Sequence, residues 1–475
     1  MSKVKYLGEV YTPKNVVDMM LDNISYKDDI ILNKHIIDNS CGDGAFLKEI
    51  VNRYCDAYYQ KNGSYDNIEK DLSKYIHGIE IQTDKVEQCI NNLDSILKER
   101  RIKEVWWDIL NADTIQIDKY NNKMDYVVGN PPYVRIHNLA KNYDAVKSMK
   151  FSSKGMTDLF IVFYEIGINM LNDTGILSYI TPTSITNSRA GTNFRKYIID
   201  NLLFESFINL KHYQPFQGIT AYTGIFTLNK SKKNETTKYF QWLGLGKKEF
   251  ISELSPSIYF INNNFYFSNI ENLNTIKKII TFPDKKCKNF FVKNGIATLA
   301  DKIFISKKFL FDSKYIIPAY KASTGNYESI IFPYDINGNL KNFSSFEKNL
   351  QDYFLYNKDV LNARSIEKNG IWYGFGRTQA IKDVYKEKIS INTLIKAQKD
   401  IKLNIIDPGT AIYSGLYITG DISFKKIKEI LDEDFIKYIE ILGKYKNGGY
   451  YTFSTSDFKK YICYKLYAEC LDNNE

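Results

Sequence analysis

Residues 35–46 read HIIDNSCGDGAF, and this stretch decides the fold. A short apolar strand runs into a loop with two glycines, and a helix is predicted from Ala45. Glycine lets the backbone turn from strand to helix and approach a ligand closely, and a helix N-terminus favours negative charge. The spacing differs from the dinucleotide fingerprint G-x-G-x-x-G, and an isolated Gly-x-Gly also occurs in loops that bind nothing.

Further apolar strands are predicted at 75–81, 124–128 and 176–180, with a turn at 172–175. Helical periodicity covers 159–171, and Thr12-Pro13 is predicted to start an earlier helix, with Thr12 as its N-cap. Strands separated by helices indicate a parallel, doubly wound α/β sheet. Its functional groups are expected at the carboxyl ends of the strands.

A polar stretch at 229–235 breaks this alternation, and the remainder is rich in aromatic residues and irregular. We therefore predict two domains, 1–240 and 241–475. The formal charge of +9 on 475 residues permits a nucleic-acid partner without requiring one.

The six cysteines show neither a C-x-x-C pair nor a disulfide or zinc spacing. The four histidines are scattered along the sequence, so the chain offers few candidate ligands for zinc and few partners for a catalytic serine. The chain also lacks an export signal and an 18-residue apolar run, so we expect a soluble, cytoplasmic protein.

Asn130-Pro131-Pro132-Tyr133 follows the strand at 124–128 and suits the binding of a flat, amino-bearing group. The Asn130 side-chain oxygen and the Pro131 carbonyl, held by two rigid prolines, can accept both N–H bonds of an adenine amine. Tyr133 offers a ring face for stacking, and a base in a duplex must be flipped out to reach it. The simpler interpretation is a Pro-Pro loop that closes a buried strand.

Two carboxylates follow other strands. Glu80, in Gly-Ile-Glu-Ile, can accept the hydroxyls of a ribose, and Asp113, in Asn-Ala-Asp, can accept an adenine amine. Taken singly, the motif at Glu80 favours a solvated side chain, and Asp113 is compatible with an ordinary Asx turn.

The order of these motifs resembles the methyltransferases that use S-adenosylmethionine and methylate amines. More closely, it is similar to the TaqI-type (gamma class) DNA adenine-N6 methyltransferases. The resemblance implies a Rossmann-like domain with a mixed, mostly parallel seven-stranded sheet, followed by an α+β target-recognition domain. The specific motifs cover the N-terminal half, including Gly8 to Pro13.

The resemblance implies a role for each residue of this sequence that matches a motif of the family. Thr12 would lie at the methionine end of the donor, Glu80 at the ribose and Asp113 at the adenine amine, with Ile81 and Phe163 on the two adenine faces. The donor-binding residues are thus Thr12, Asp38, Cys41, Gly42, Gly44, Glu80, Ile81, Asp113, Asn130 and Phe163. The catalytic residues are Asn130, Pro131, Tyr133 and Phe216.

Phe216 is assigned because the family places an aromatic there to sandwich the flipped adenine against Tyr133. Tyr213 is the rival, since this loop varies in length, and Phe216 could also simply pack between loop and sheet. Arg135 and His137 follow the catalytic motif and either touch DNA phosphates or lie in a solvated loop.

In the second half, 295–304 and 373–379 are similar to segments of TaqI-type specificity domains. Arg377, followed by Gln379, could read bases in a groove, or it could be a structural arginine that pairs an acid. Lys382, Lys386 and Lys388 could neutralise phosphates.

The predicted protein is thus a site-specific DNA adenine-N6 methyltransferase of a restriction-modification system, acting on double-stranded DNA, without a metal or membrane and as a monomer. Methylation of RNA or of protein glutamine is the near alternative, because such enzymes also carry Asn-Pro-Pro-aromatic. They usually place a different domain first and lack a long C-terminal half. Cytosine-N4 methylation more often starts with Ser-Pro-Pro.

A non-catalytic DNA-specificity subunit is the alternative from another class. A fused nuclease is not expected, since no D…E-x-K cluster is found downstream. A separately encoded restriction endonuclease is compatible with the sequence as a partner.

Overall fold

The computed structural model describes residues 11–136, 143–153, 157–216, 221–283, 287–368 and 370–468. Gly8 to Val10 of the N-terminal motif, His137 and most of the loop after Phe216 lie outside these ranges. The chain divides into two compact units, residues 1–274 and 275–475.

Within the described residues, nine strands of the first unit form one sheet, in the order β3-β2-β1-β4-β5-β7-β6-β8-β9. Neighbours from β3 to β5 pair in parallel, and β6 pairs in parallel with β8, whereas β7 and β9 run antiparallel to their neighbours. The strands span Ile36–Asp38 (β1), Ile76–Glu80 (β2), Asp108–Asn111 (β3), Met124–Gly129 (β4), Leu171–Pro182 (β5), Phe204–Asn209 (β6), Thr223–Asn229 (β7), Thr237–Gly244 (β8) and Lys247–Leu254 (β9).

Helices cover this sheet, and a short hairpin follows it. The helices span Lys14–Asn23 (α1), Ala45–Asn62 (α2), Ile68–Tyr75 (α3), Thr83–Arg100 (α4), Tyr143–Ser148 (α5), Leu159–Met170 (α6), Thr192–Asp200 (α7), Pro256–Tyr259 (α8) and Ile270–Thr281 (α9). The hairpin strands are Phe260–Ile261 (β10) and Asn264–Phe265 (β11). The predicted alternation of strands and helices is confirmed, and α6 lies where the helical periodicity placed it.

The predicted number of seven strands is corrected, because β8 and β9 extend the sheet to nine strands within the described residues. The boundary predicted after residue 240 falls inside β8, and the two units divide after Asn274. The polar stretch at 229–235 is the connection between β7 and β8 rather than a linker. Polar composition alone cannot separate a surface turn from a domain boundary.

Two local predictions also change. Helix α1 begins at Lys14 with Pro13 as the N-cap residue, so Thr12 lies one position before the cap. The predicted turn at 172–175 is part of β5, although the Asn172 side chain still accepts the N–H of Thr174 at 3.0 Å, as in an Asx turn.

The second unit has both antiparallel sheet and helix, as predicted for an α+β domain. Two sheets of four strands each occur in its described part, in the orders β12-β19-β16-β17 and β13-β15-β14-β18, together with the hairpin β20-β21. The strands span Phe290–Asn294 (β12), Ile305–Ser306 (β13), Ile316–Lys321 (β14), Asn326–Ile331 (β15), Lys388–Ile391 (β16), Leu403–Ile406 (β17), Ala411–Tyr413 (β18), Leu416–Gly420 (β19), Tyr445–Lys446 (β20) and Tyr450–Tyr451 (β21). The helices span Asp301–Phe304 (α10), Lys348–Tyr356 (α11), Lys358–Asn362 (α12), Phe424–Ile430 (α13), Glu433–Ile441 (α14) and Thr455–Tyr467 (α15).

One disulfide departs from the prediction, since Cys287 and Cys463 are bonded across 176 residues. Local cysteine spacing cannot reveal a pair so distant in sequence. Cys41, Cys55 and Cys89 are buried free thiols. Among the described residues, no helix is long and apolar enough to cross a membrane.

Candidate active site

The glycine loop leaves the carboxyl end of β1 and carries a buried carboxyl, Asp38, at its start. Asp38 accepts the backbone N–H of Ser40 at 3.1 Å, and burial raises its pKa to about 7. At Gly129, the last residue of β4, a Cβ atom would lie 2.7 Å from Oδ1 of Asp38. Only glycine therefore lets β4 end beside this carboxyl.

Cys41 and Gly44 shape the rest of the loop. The Cys41 thiol is buried, and its hydrogen bond with Cys89, together with burial, raises its pKa well above the usual range. Gly44 adopts a φ of 87° and precedes α2, and a Cβ atom there would lie 2.7 Å from Sγ of Cys89. The glycine is thus required both by its backbone conformation and by the helix α4 behind it.

Glu80 ends β2 beside this loop, as predicted. Its carboxylate accepts the N–H of Gly42 at 3.0 Å and that of Gln82 at 2.9 Å. One acidic side chain therefore joins the glycine loop to the end of the neighbouring strand. The next residue, Ile81, has 58% of its surface exposed, so its apolar side chain is accessible to a ligand.

Asp113 follows β3 and caps a single 3-10 turn, where its Oδ1 accepts the N–H of Ile115 at 3.1 Å. Asn111 was not predicted, yet its amide donates to the carbonyls of both Glu80 and Ile81 at 3.1 Å. The ends of β2 and β3 are therefore tied together, with Glu80, Ile81 and Asp113 at one edge of the sheet.

Asn130 follows β4 at the same edge. Its Nδ2 donates to the Thr12 hydroxyl at 3.2 Å, and its Oδ1 accepts the hydroxyl of Tyr133 at 2.6 Å. In this orientation the Thr12 hydroxyl accepts the N–H of the carboxamide, and the Tyr133 hydroxyl donates to its oxygen. Thr12 is buried.

Tyr133 is held at both of its ends. Its hydroxyl also lies 3.1 Å from the carbonyl of Ile180 in β5, and burial raises its pKa well above the ordinary value, so the phenol stays protonated. Its ring packs edge-on against Phe216, with centroids 6.1 Å apart and planes at 67°. Of the two rival aromatics, the structure therefore brings Phe216 to Tyr133, while Phe216 itself is buried.

Helix α6 supplies an aromatic that the sequence analysis missed. Phe160 packs edge-on against Tyr133 at 6.0 Å. Phe163, the predicted donor residue, is buried three positions further along the helix. The helical periodicity carried a signal for Phe160. Residues three and four apart are neighbours on a helix surface, so Phe160 is expected beside Phe163 and Tyr164.

Of the predicted DNA contacts, Arg135 is exposed, with its Nε 3.9 Å from the Asp158 carboxylate. Arg377 donates to the carbonyls of Ser365 at 2.9 Å and Gly376 at 3.0 Å. The alternative interpretation expected an acid as its partner, whereas these partners are backbone oxygens. Gln379 is exposed and donates to the Gly295 carbonyl at 2.7 Å.

The lysines near Arg377 differ in accessibility. Lys382 and Lys386 are exposed, and Lys386 forms an ion pair with Asp383 at 2.8 Å. Lys388 is buried and donates to three backbone carbonyls, and burial lowers its pKa to about 8. The predicted phosphate contact of Lys388 is therefore wrong, because its ammonium group faces the protein interior.

Residues 34–216 match the family described as Eco57I restriction-modification methylase. M.BstVI, a type II methyltransferase of Geobacillus stearothermophilus, is 23% identical to this chain over 91% of it and 85% of the relative. RM.Eco57I, a type II restriction enzyme and methyltransferase of Escherichia coli, is 23% identical over 90% of this chain and 54% of the relative. The chain thus spans most of the first relative and about half of the second.

Solved structures are also similar. The type IIL restriction-modification enzyme MmeI in complex with DNA has a TM-score of 0.63 at 14% identity, covering 93% of this chain and 63% of that one. A DrdV–DNA complex has a TM-score of 0.54 at 12% identity, covering 90% and 53%. The predicted fold is confirmed.

The predicted resemblance to the methyltransferases of restriction-modification systems is confirmed as well, although the comparisons do not specify the gamma class. They also support the predicted cofactor, S-adenosylmethionine.

Proposed function

We propose that this chain, as a relative of the methyltransferases of restriction-modification systems, methylates N6 of a flipped-out adenine in double-stranded DNA. The observation that carries the proposal is the fixed carboxamide of Asn130. Thr12 holds its N–H end and Tyr133 its oxygen end. That oxygen has two lone pairs, so one remains for a substrate amine after the Tyr133 hydroxyl has taken the other.

The donor site fits a cationic ligand. Asp38 is buried, and burial raises its pKa to about 7, so a cation bound beside it would favour the ionised carboxylate. S-adenosylmethionine, when bound, supplies a methyl group on a positively charged sulfonium, which is already a strong electrophile. Asp38 and the loop to Gly44 would hold its amino-acid end, Glu80 its ribose, and Ile81, Asp113 and Phe163 its adenine.

The amine of adenine is a poor nucleophile, because its lone pair is delocalised into the ring. Asn130 Oδ1 and the Pro131 carbonyl accept its two N–H bonds and favour a tetrahedral nitrogen with a free lone pair. The Asn130 carboxamide is held before any substrate binds, which supports catalysis by orientation and by acceptors aimed at developing charge. No base is needed before transfer, since the proton can leave afterwards.

The target base must be flipped from the duplex to reach Asn130. A base sandwiched between Tyr133 and Phe216 needs two roughly parallel rings with room for a third ring between them. The rings now lie 6.1 Å apart at 67°. We therefore infer that Phe216 turns and withdraws when the adenine binds, while the hydroxyl of Tyr133 keeps its contact with Asn130.

We assign target recognition to the second unit, with double-stranded DNA as its ligand and Arg377 and Lys382 as contacts, and Arg135 as a contact from the first unit. MmeI and DrdV, whose folds are similar, were each solved bound to DNA, which supports this assignment. We further propose that the chain acts as a monomer beside a separately encoded restriction endonuclease.

The test is incubation of the purified protein with methyl-labelled S-adenosylmethionine and unmethylated bacterial DNA, followed by mass spectrometry of the nucleosides. N6-methyladenine is the expected product. N4-methylcytosine would overturn the choice of base, and label on RNA or protein would overturn the choice of DNA. If no label is transferred and S-adenosylmethionine does not bind, the remaining interpretation is a non-catalytic specificity subunit.

Asn130→Ala removes one acceptor, and we expect turnover to fall by about two orders of magnitude or more while the Kd for S-adenosylmethionine is retained. Asn91→Ala is the matched control, because Asn91 lies on the exposed side of α4. Near-normal turnover of Asn130→Ala would refute the site assignment.

A further inference from the structure

A stacked pair of aromatic rings adjoins the buried cluster that contains Phe216. Tyr213 stacks on Trp242, with ring centroids 5.1 Å apart and planes only 14° from parallel. Trp242 is 9% exposed and belongs to the core, whereas Tyr213 is 37% exposed. The pair therefore presents tyrosine surface to solvent, supported from below by an indole ring.

The topology places this pair at the edge of the sheet that carries Asn130. Strand β6 runs in the same direction as β5, because β7 lies between them and is antiparallel to both, and β8 is parallel to β6. Tyr213 follows the carboxyl end of β6, and Trp242 lies near the carboxyl end of β8. Both rings are thus at the functional edge.

The pair is also continuous with the proposed base site. Phe216 and Trp242 belong to one buried cluster, against which Tyr133 packs. Tyr213 is three residues before Phe216, so their α-carbons are at most about 11 Å apart. A DNA strand that delivers its adenine to Tyr133 and Phe216 would bring neighbouring nucleotides within reach of Tyr213.

The buried member of the pair is an unusual choice for a purely structural role. The Trp242 indole N–H has no hydrogen-bond partner among the described residues. A phenylalanine would fill apolar space without leaving a donor unpaired. The gain from tryptophan is a larger flat surface beneath Tyr213, which keeps that ring parallel to it and in a defined orientation.

We propose that Tyr213, supported by Trp242, is a stacking platform for a second nucleobase of the DNA, distinct from the target adenine. The inference rests on the proposed function, since it requires a DNA substrate with a disrupted stack. Every nucleobase offers a π face, so the platform binds by stacking and carries no sequence preference of its own. The nucleobase is either the one left unpaired opposite the adenine or a neighbour in the same strand.

The experiment uses the full chain and a duplex containing the target site, which is first mapped by sequencing the methylated DNA. Tyr213→Ala should raise the Kd for this duplex at least about fivefold, the lower range for one stacked base, with an unchanged Kd for S-adenosylmethionine. Tyr213→Phe keeps the ring and should restore binding. Tyr59→Ala is the matched control, because Tyr59 is 50% exposed and lies about 21 Å along α2 from its first residue.

Two further duplexes carry the fluorescent base 2-aminopurine, either opposite the target adenine or beside it. Stacking on Tyr213 should quench one of them in the wild type and not in Tyr213→Ala, and the quenched position identifies the source of the base. Equal affinity and equal fluorescence in Tyr213→Ala and Tyr59→Ala would overturn the proposal. A lowered Tm with loss of donor binding would also overturn it, by showing a structural role.

Failure of this inference is distinguishable from failure of the proposed function. In the first case the wild type produces N6-methyladenine and Tyr213→Ala does so with the same KM for DNA. In the second case the wild type itself produces none.

Discussion

At the scale of single residues, Thr12 shows how an ordinary side chain can orient a reactive one. As a helix start, Thr12-Pro13 suggests an N-cap, yet helix α1 is capped at Pro13 and the Thr12 hydroxyl accepts the amide N–H of Asn130. A carboxamide without this contact could rotate and present N–H groups to the substrate amine. We therefore propose that Thr12 positions Asn130, in addition to its proposed contact with the donor.

Thr12→Val preserves the shape of the side chain and removes the acceptor. We expect kcat to fall about threefold to tenfold, the value of one hydrogen bond, and Thr12→Ser to restore it. Steady-state kinetics with saturating DNA and varied S-adenosylmethionine provides the measurement. If only the KM for S-adenosylmethionine changes, Thr12 serves the donor alone and does not orient Asn130.

At the scale of elements, helix α2 has a left-handed glycine at each end for different reasons. Gly44 precedes the helix with φ 87°, and Gly63 follows it with φ 74°. A Cβ atom at Gly44 would meet the Cys89 thiol at 2.7 Å, whereas one at Gly63 would meet nothing within 4 Å. The first glycine is required by packing of the glycine loop against Cys89, the second only by its backbone conformation.

Gly44→Ala and Gly63→Ala therefore form a matched pair. Both lose about 1–2 kcal/mol to the left-handed conformation, and we expect Gly44→Ala to lose a further 1–3 kcal/mol, roughly, to overpacking. Chemical denaturation measures the free energy of unfolding of each variant. Adding Cys89→Ala should recover part of the stability lost in Gly44→Ala, and none of that lost in Gly63→Ala. Equal losses of unfolding free energy at the two glycines would contradict the close approach of Gly44 to Cys89.

At the scale of the whole molecule, the formal charge of +9 is small for a DNA-binding chain, so the placement of the charges matters more than their number. Lys382 is exposed, whereas Lys388, six positions later, is buried on backbone carbonyls. Only the first can meet a phosphate, although the two are equivalent in a sequence pattern.

Lys382→Ala should weaken DNA binding about equally for all sequences and lower the slope of log K against log salt by about one. Binding to the mapped site and to unrelated duplexes across a salt series gives both quantities. Lys70→Ala is the control, since Lys70 lies on α3, which leads into the opposite end of β2. A changed preference between sequences, with the salt slope intact, would show that Lys382 reads bases instead.

Much of the fold and of the donor site was predictable because it depends on local chain properties. Apolar strands that lead into the glycine loop, Glu80 and Asn130 are expected to form one sheet with these residues at one edge, given the handedness and direction of strand–helix–strand connections. The extra strands β8 and β9, the division after Asn274 and the Cys287–Cys463 bond were not predictable. Each depends on which surfaces meet after folding.

The sequence by itself determined the types of chemical group at the proposed site and their order along the chain, since strand ends, glycine turns and rigid prolines are local properties. Only the tertiary structure decided how those groups are oriented. The partners of Asn130 are Thr12, 118 positions before it, and Tyr133, whose hydroxyl also meets Ile180. Such contacts follow from packing between distant segments, where a hydrogen bond forms only if the folded backbone brings donor and acceptor within about 3 Å.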